Sequence, residues 1–324
     1  MLNLIKIEWI KECKSKRLFI SLMVCLAAMI GFGFFLKQDS IGASNDMTDK
    51  ERQLQDAYEK STNWKEQMKI QMQLNEYLSD IYSDEEIDVK NQILQYRIDN
   101  DVKPYGKNTT WDFIIYSFDV IGLLVAVFSI IFSVEIVVKE YTYKTTKLLF
   151  TKPYSRSEII LAKYITCILY TALLTLFCYL AAYIVGGIYF SFEGAGVVTV
   201  IKMFHTMFCC TLFEKSIIYL AAIFLNAVVL ISIAFLLGII CRTQVLPLIA
   251  TLGIMLFGNM IAQKIYSAGF KMIRFSILPN LSLSGFIDSS VAKGYSPGLF
   301  CITVIVHVII LLAASVQIIK RVDL

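Results

Sequence analysis

Long apolar runs almost free of charge alternate with shorter polar stretches along most of this chain. A helix needs roughly 20 apolar residues, at about 1.5 Å each, to cross a hydrocarbon layer about 30 Å thick. Because lipid offers no partners to backbone polar groups, a run of that length is expected to form a helix. Six runs predict six membrane-spanning helices: 18–36, 113–138, 159–190, 216–240, 245–262 and 298–319.

The amino-acid composition also favours a membrane-spanning protein. Of the 324 residues, 57% are hydrophobic and 17% are charged, and the mean hydropathy is +0.64. We therefore expect an all-α integral membrane protein and not a soluble globular domain. Basic residues precede the first run, as in a secretory signal, but no small-residue cleavage pattern follows, so a retained anchor is expected.

The distribution of Lys and Arg predicts the orientation, because these residues are retained on the cytoplasmic side. With the N-terminus inside, fourteen of them lie at the inner ends of the helices and six in the short outer loops. Both termini are then cytoplasmic. Residues 197–213 are apolar enough for a seventh span, but Lys202 and His205 interrupt them, so residues 191–215 are expected to form an outer or interfacial segment. Residues 263–297 are expected to form a second outer segment, partly re-entrant.

The N-terminal residues 1–17 are predicted to form an amphipathic helix on the inner leaflet. Leu2, Ile5, Trp9 and Cys13 recur at helical spacing among basic residues, a pattern typical of interfacial helices. The alternative is a basic stop signal that only sets the topology.

Residues 37–112 form the largest polar stretch, with 10 basic and 16 acidic residues, and should lie outside as a helical hairpin. Residues 47–82 are rich in helix-forming side chains, and Ser83 followed by Glu86 predicts a capping box that starts a second helix. We expect a small core from the apolar residues of both helices: Trp64, Met68, Leu74, Ile87, Leu94 and Ile98.

Residues suited to chemistry inside the bilayer are few. Asp119 and Glu135 share one predicted span, but about 24 Å of helix separates them, which puts them near opposite interfaces. His307 lies near the centre of the last span, where it is either an interhelical hydrogen-bonding residue or a proton carrier. No catalytic, metal-binding or phosphate-binding motif is present, so we expect no catalytic, cofactor-binding or metal-binding residues in this chain.

The predicted cytoplasmic loop 139–158 combines basic and apolar residues. A short helix over about residues 142–150 would expose Leu148, Leu149 and Phe150 before Pro153 ends it. Ser155 or Ser157 would then cap the next helix, with Glu158 in its first turn. Exposed apolar residues on a charged loop indicate a docking surface. The alternative is an ordinary positive loop whose apolar residues rest on lipid.

This loop resembles the membrane subunits of ABC-2 type transporters. In that family an acid is followed by Gly-Thr, a Leu-rich turn, Pro, an Arg three residues later, and a Lys that opens the next span. Lys144 stands where Gly is usual, and six residues match the pattern: Glu140, Thr145, Leu149, Pro153, Arg156 and Lys163. The order of elements is also similar, with an inner-face helix, six spans, and outer insertions after the first and fifth.

The resemblance implies a permease subunit in a bacterial cell membrane. Residues 139–158 would form a coupling loop that docks on a cytoplasmic ABC ATPase subunit, which would bind ATP and Mg²⁺, and a second permease chain would complete the pathway. Polar contacts and helix anchoring are expected from Glu140 and Arg156, and apolar docking from Leu148, Leu149 and Phe150. Thr145 and Pro153 belong to the same docking loop, and Pro153 ends its helix. This chain itself would not be an enzyme.

The scarcity of buried charge favours an amphipathic cargo, such as an antimicrobial peptide or a lipid-like compound. Export of that cargo is what the family resemblance implies. The net charge of +4 reflects the inner-face bias, so nucleic acid is not an expected partner, whereas membrane lipid is. Two alternatives remain open at this point. One is a secondary transporter or channel, for which His307 would be the key residue, and the other is a non-transporting receptor or assembly protein.

Overall fold

The computed structural model describes residues 1–42, 49–77, 83–105, 108–143, 154–281, 287–288 and 296–321. The first helices are α1 (Leu2–Cys13), α2 (Lys16–Gly42), α3 (Asp49–Lys60), α4 (Trp64–Glu76), α5 (Asp84–Asp99), α6 (Thr110–Tyr116), α7 (Phe118–Thr142) and α8 (Arg156–Tyr189). Then follow β1 (Val198–Met203), β2 (Thr206–Thr211), α9 (Leu212–Cys241), α10 (Val245–Ser267) and α11 (Pro297–Arg321). Two short 3-10 helices, Lys271–Phe275 and Leu278–Leu281, lie between α10 and α11.

Six helices in the described ranges are long and apolar enough to cross a membrane: α2, α7, α8, α9, α10 and α11. The prediction of a mostly helical multi-pass membrane protein is confirmed. The apolar windows of α7, α8 and α9 are 56%, 50% and 61% buried, whereas those of α2, α10 and α11 are each 22% buried. Helices α7–α9 therefore form the centre of the bundle, and the other three leave most of their surface for lipid or another chain.

Hydroxyl groups connect the central helices at several depths. The Phe132 and Tyr170 rings stack with centroids 4.0 Å apart, and the Tyr170 hydroxyl donates to Ser21 Oγ of α2 at 2.9 Å. Ser133 Oγ of α7 donates to the Ile231 carbonyl of α9 at 3.0 Å. Such bonds favour helix association in lipid, where burial of apolar surface gives no driving force.

The predicted span 113–138 falls on two helices, because the chain breaks at Ser117. Thr109 and Asp112 form a capping box that starts α6, and the Ser117 Oγ at its end donates to the Ile114 carbonyl at 3.1 Å. The Thr110 hydroxyl donates to the Tyr183 carbonyl of α8 at 2.7 Å. The short helix α6 is thereby fixed against α8 before the long helix α7 begins.

One element departs from the all-α expectation, since residues 198–211 form an antiparallel β-hairpin. Val198 pairs with Thr211 and Met203 with Thr206, and the turn includes Phe204 at a φ of 56°. The first strand is rich in β-branched residues, which suit a pleated strand, and Val200 and Ile201 are fully buried. The predicted interfacial segment is therefore a hairpin, and the end of the bundle that carries it is called the hairpin side below.

The insertion after α2 contains three described helices instead of two. The continuous helix predicted over 47–82 is interrupted where Asn63 caps α4 by accepting a hydrogen bond from the Lys65 amide. The capping box at Ser83 and Glu86 is present at the start of α5. Of the predicted core residues, Met68 and Ile87 are buried, and the rest are half-buried: Trp64, Leu74, Leu94 and Ile98.

Polar contacts fasten the insertion to the hairpin and the bundle. Arg97 of α5 donates to Thr199 Oγ1 of β1 at 2.6 Å. The Lys202 amide of the same strand donates to Asp288 Oδ1 at 2.9 Å, and Asp288 forms an ion pair with Lys215 of α9 at 2.6 Å. The insertion, the hairpin and the start of α9 are thus held together on the hairpin side.

Candidate functional site

The opposite end of the bundle carries α1, the end of α7, the start of α8 and the end of α11, and is called the terminal side. Two predicted docking residues, Glu140 and Arg156, lie here in the described part of the chain, on either side of residues 144–153. The other five lie outside the described residues and stay predictions: Thr145, Leu148, Leu149, Phe150 and Pro153.

A buried lysine joins the helices on both sides of the loop. Lys163, one to two turns into α8, is only 2% exposed, and its Nζ lies 2.8 Å from Glu140 Oε1 at the end of α7. The same Nζ donates to the Ile136 carbonyl at 2.9 Å. Removing one member of such a pair leaves an uncompensated buried charge, which is strongly destabilising. The two residues matched at the edges of the family pattern therefore bind each other.

Helix α8 begins at a well-defined cap. Ser155 is the N-cap, and its side chain accepts from the Glu158 amide while the Glu158 carboxylate accepts from the Ser155 amide. Of the two predicted caps, Ser155 is the one used. This capping fixes where α8 starts and hence which turn of α8 places Lys163 opposite Glu140.

Helix α1 contributes two carboxylates to the same site. Leu4, Glu8 and Glu12, spaced four residues apart, form its buried face, and Glu8 Oε2 lies 3.5 Å from Lys163 Nζ. Burial raises the pKa of Glu8, but Lys163 and Lys11 lower it by more, so the pKa lies below its usual value. Of the predicted apolar face, Leu2 is 83% exposed, whereas Ile5 and Trp9 pack against buried residues of the bundle.

Two further ion pairs extend the site to α2. Arg17 Nη1 lies 2.6 Å from Glu135 of α7, and Lys139 Nζ lies 3.6 Å from Glu12. Seven residues on four helices form what we call the terminal charge cluster: Glu8, Glu12, Arg17, Glu135, Lys139, Glu140 and Lys163. The cluster ties α1, α2, α7 and α8 together at the described ends of α7 and α8, on either side of residues 144–153.

Arg156 connects the start of α8 to the end of α11. Its Nη1 donates to the Ile319 carbonyl at 3.4 Å, a favourable position for a cation near a helix C-terminus. Nearby, the Arg242 guanidinium at the end of α9 lies 5.4 Å from the centre of the Tyr141 ring. Noncovalent contacts therefore join the start of α8 to the end of α11, and the end of α9 to the end of α7.

Sequence reasoning missed the roles of Glu8, Glu12, Arg17 and Glu135. A signal for the first two was present, because two acids four residues apart in an otherwise basic segment define one face of a helix. The pairing of Arg17 with Glu135 carries no such local signal. Their positions near the membrane interface were consistent with solvated charges.

The ionisable residues considered for a secondary transporter or channel do not lie together in one site. His307 Nδ1 lies 2.8 Å from the Thr303 carbonyl, one turn earlier in its own helix. Asp119 lies in the first turn of α7 on the hairpin side, and Glu135 belongs to the terminal charge cluster. Within the described ranges, no group of three or more His, Cys, Asp or Glu side chains is arranged to hold a metal ion.

The fold and the terminal charge cluster define a multi-pass membrane protein with a braced loop on the terminal side. The chain belongs to the family described as "Protein of unknown function (DUF2705)", whose model matches residues 88–324. It is similar to the "Uncharacterized protein YhcI" of Bacillus subtilis (strain 168), with 26% identity over 328 residues, covering 100% of this chain and 99% of YhcI. No solved structure matches the chain significantly.

Proposed function

We propose that this chain is the permease subunit of an ATP-driven ABC-2 type transporter in a bacterial cell membrane. The terminal side faces the cytoplasm in this proposal, as the excess of Lys and Arg there favours. A separate ABC ATPase subunit docks on residues 139–158 and hydrolyses ATP with Mg²⁺. A second permease chain, identical or similar, completes the transport pathway.

The observation that carries the proposal is the ion pair between Glu140 and Lys163. It joins α7 to α8 on the two sides of the loop, within a site that is buried from solvent. A loop that receives force from a partner needs its two ends fixed to the helices that must move.

The terminal charge cluster also suggests how force from the ATPase subunits reaches the membrane helices. When the ATPase subunits close on ATP, residues 139–158 are pushed toward the membrane. Because Lys163 binds Glu140 of α7 and Glu8 of α1, helices α1, α7 and α8 shift as one unit. The movement then repacks α7 and α8 against α9, which closes or opens the path.

The three helices with little buried surface, α2, α10 and α11, suit contacts with a second permease chain and with lipid. Helices α2, α10 and α11 keep most of their apolar surface available, which leaves room for a second permease chain and for lipid. The apolar spans carry few charges between their two ends, which favours an amphipathic cargo, such as an antimicrobial peptide or a lipid-like compound, over a small ion. In this proposal the cargo is exported, as the family resemblance implies.

Coupled activity tests the docking role. The chain is co-expressed with an ABC ATPase subunit that is recovered bound to it, and ATP hydrolysis is measured in membrane vesicles for the wild type and for Leu148→Asp with Leu149→Asp. We expect the double variant to insert normally and to lose stimulation of ATP hydrolysis.

A matched control is Phe270→Asp with Met272→Asp, two apolar residues that are 71% and 79% exposed on the hairpin side. This control should keep full stimulation. Normal stimulation in the Leu148 and Leu149 variant would refute docking through the loop. A pH-gradient-driven activity that is lost on His307→Ala would instead favour a secondary transporter.

A further inference from the structure

An open groove of about 590 Å³ runs between α8 and α11 on the terminal side. Its volume lies within the roughly 300–1,000 Å³ of small-molecule sites. Leu161 of α8 forms one wall, and α11 supplies the other through Ile309, Leu312, Ala313, Val316, Gln317 and Lys320. Both helices are long and apolar enough to cross the membrane, so lipid or another chain must fill the groove there.

The length of the groove fits one leaflet of a bilayer. Its lining on α11 extends over eleven residues, from Ile309 to Lys320, which is about 16 Å of helix. Half of a hydrocarbon layer about 30 Å thick is about 15 Å. The two polar lining residues, Gln317 and Lys320, come last, and α11 ends at Arg321. The groove is therefore apolar over the depth of one leaflet and polar at the level of the head groups.

Positive charge collects at the polar end of this groove. Lys320 is exposed, and among the described residues it forms no ion pair. Arg321 follows in the same turn, and Arg156 Nη1 of α8 donates to the Ile319 carbonyl at 3.4 Å. Glu158, the acid in the first turn of α8, takes part in the cap of that helix. The first turn of α8 and the last turn of α11 thus carry three cations and one acid, so they attract an anion.

These features select an anionic phospholipid as the occupant. The Lys320 ammonium and the Gln317 amide can donate hydrogen bonds, which suits phosphate oxygens. A long lysine side chain at a helix end extends toward the head groups, and basic pockets between spanning helices bind anionic head groups. A zwitterionic lipid carries its own cation, which Lys320 repels. A helix from another chain would cover Lys320 without supplying a phosphate, and burial of an unpaired charge is costly.

We propose that this groove binds one anionic phospholipid of the leaflet on the terminal side. An acyl chain lies along Leu161, Leu312 and Val316, and the phosphate binds Lys320 and Gln317. The bound lipid bridges the start of α8 and the end of α11. Its binding does not depend on the proposed transport function and needs no ATPase partner.

Photo-crosslinking of the full chain tests this site. The purified protein is placed in phosphatidylcholine nanodiscs that contain a small fraction of phosphatidylglycerol with a diazirine on its acyl chain. We expect saturable labelling of peptides from α8 and α11. A phosphatidylcholine probe with the same chain and diazirine should label these peptides at least about fivefold less, which corresponds to about 1 kcal/mol.

Variants separate the head-group contact from general contact with lipid. Lys320→Gln should weaken labelling by phosphatidylglycerol about fivefold, since one basic residue near the membrane surface contributes about 1 kcal/mol. Lys320→Arg, which keeps the charge, should retain the labelling. Val316→Trp should fill the groove and reduce labelling without a change of charge. The matched controls Lys264→Gln and Ile249→Trp, at exposed positions of α10, should leave labelling unchanged.

Three results would overturn the proposal. The first is equal labelling by the two probes in the wild type, a comparison that does not depend on how any variant folds. The second is unchanged labelling in both Lys320→Gln and Val316→Trp. The third is absence of label from α8 and α11 while other spans are labelled, which would mean that a protein covers the groove in place of lipid.

Discussion

Removal of the Lys163 charge should destabilise the protein more than any exposed lysine substitution. Lys163→Met leaves the Glu140 carboxylate, 2.8 Å from the former ammonium, and the Glu8 carboxylate, 3.5 Å from it, without their shared cation. At an effective dielectric constant of about 20, each contact is worth several kcal/mol before desolvation. Since breaking a buried ion pair costs about 3–5 kcal/mol net, we expect a loss in that range.

The companion variant Glu140→Gln should cost less. Lys163 then keeps its contact with Glu8 and its hydrogen bond to the Ile136 carbonyl, so we expect a loss of about 1–3 kcal/mol. In the double variant the two losses should not add, because the interaction that each removes is the same one. A coupling energy of about 2 kcal/mol or more is expected from the cycle.

Reversible unfolding in mixed detergent micelles measures these free energies for the four forms. Lys264→Met, at an exposed position near the end of α10, is the control and should lie within about 0.5 kcal/mol of the wild type. A loss below about 1 kcal/mol for Lys163→Met, or strict additivity in the double variant, would refute the role given to the terminal charge cluster.

Three further predictions concern other contacts. Because the folded-state pKa of Glu8 is lowered, its stabilisation is present above the unfolded-state value, about 4.3, and is lost as the pH falls through the folded-state value. Thermal unfolding across pH should therefore show Glu8→Gln less stable than wild type at neutral pH and equal to it in acid, and a constant difference would contradict this. Asp288→Asn removes the ion pair with Lys215 and should speed proteolysis of the insertion, with about 2 kcal/mol lost; an unchanged cleavage rate would argue against the anchoring role. Gly186→Ala places a Cβ 2.8 Å from the facing hydroxyl of α6 and should cost about 1–3 kcal/mol in the same unfolding assay, whereas Gly253→Ala, with no atom within 4 Å, should not destabilise.

The membrane-spanning helices could be predicted because a long apolar segment in lipid must form a helix to satisfy its backbone hydrogen bonds. Five of the six predicted runs each fall on one helix of membrane-spanning length in the described part of the chain, and most of the sixth, 113–138, falls on α7. Local capping was also readable, as at Ser83 and Ser155, because a cap depends on residues three apart. The ends were less predictable, and α2 continues to Gly42, six residues past the predicted end of the first run.

The contacts that build the site could not be predicted in this way. Glu8 and Lys163 are far apart in the sequence, and helical periodicity shows which face a residue is on but not which helix lies opposite. The hairpin was missed for a related reason. Its strands are short and partly apolar, so their sequence resembles an interrupted helix. Only the structure shows that Val200 and Ile201 are buried against the bundle.

The docking loop itself stays a prediction. Glu140 and Arg156 are placed at its ends, and the six-residue match to the ABC-2 type pattern is what connects the fold to ATP-driven transport. The terminal charge cluster supports that connection because it fixes both ends of the loop to the helices α1, α2, α7 and α8.

The most direct test of the central claim is isolation of the tagged chain from its native membrane in mild detergent, followed by mass spectrometry of the proteins that stay bound. The permease proposal predicts a nucleotide-binding ABC subunit in stoichiometric amount, together with ATPase activity. Recovery of the intact chain without such a subunit and without ATPase activity, from cells that express the neighbouring genes, would contradict it.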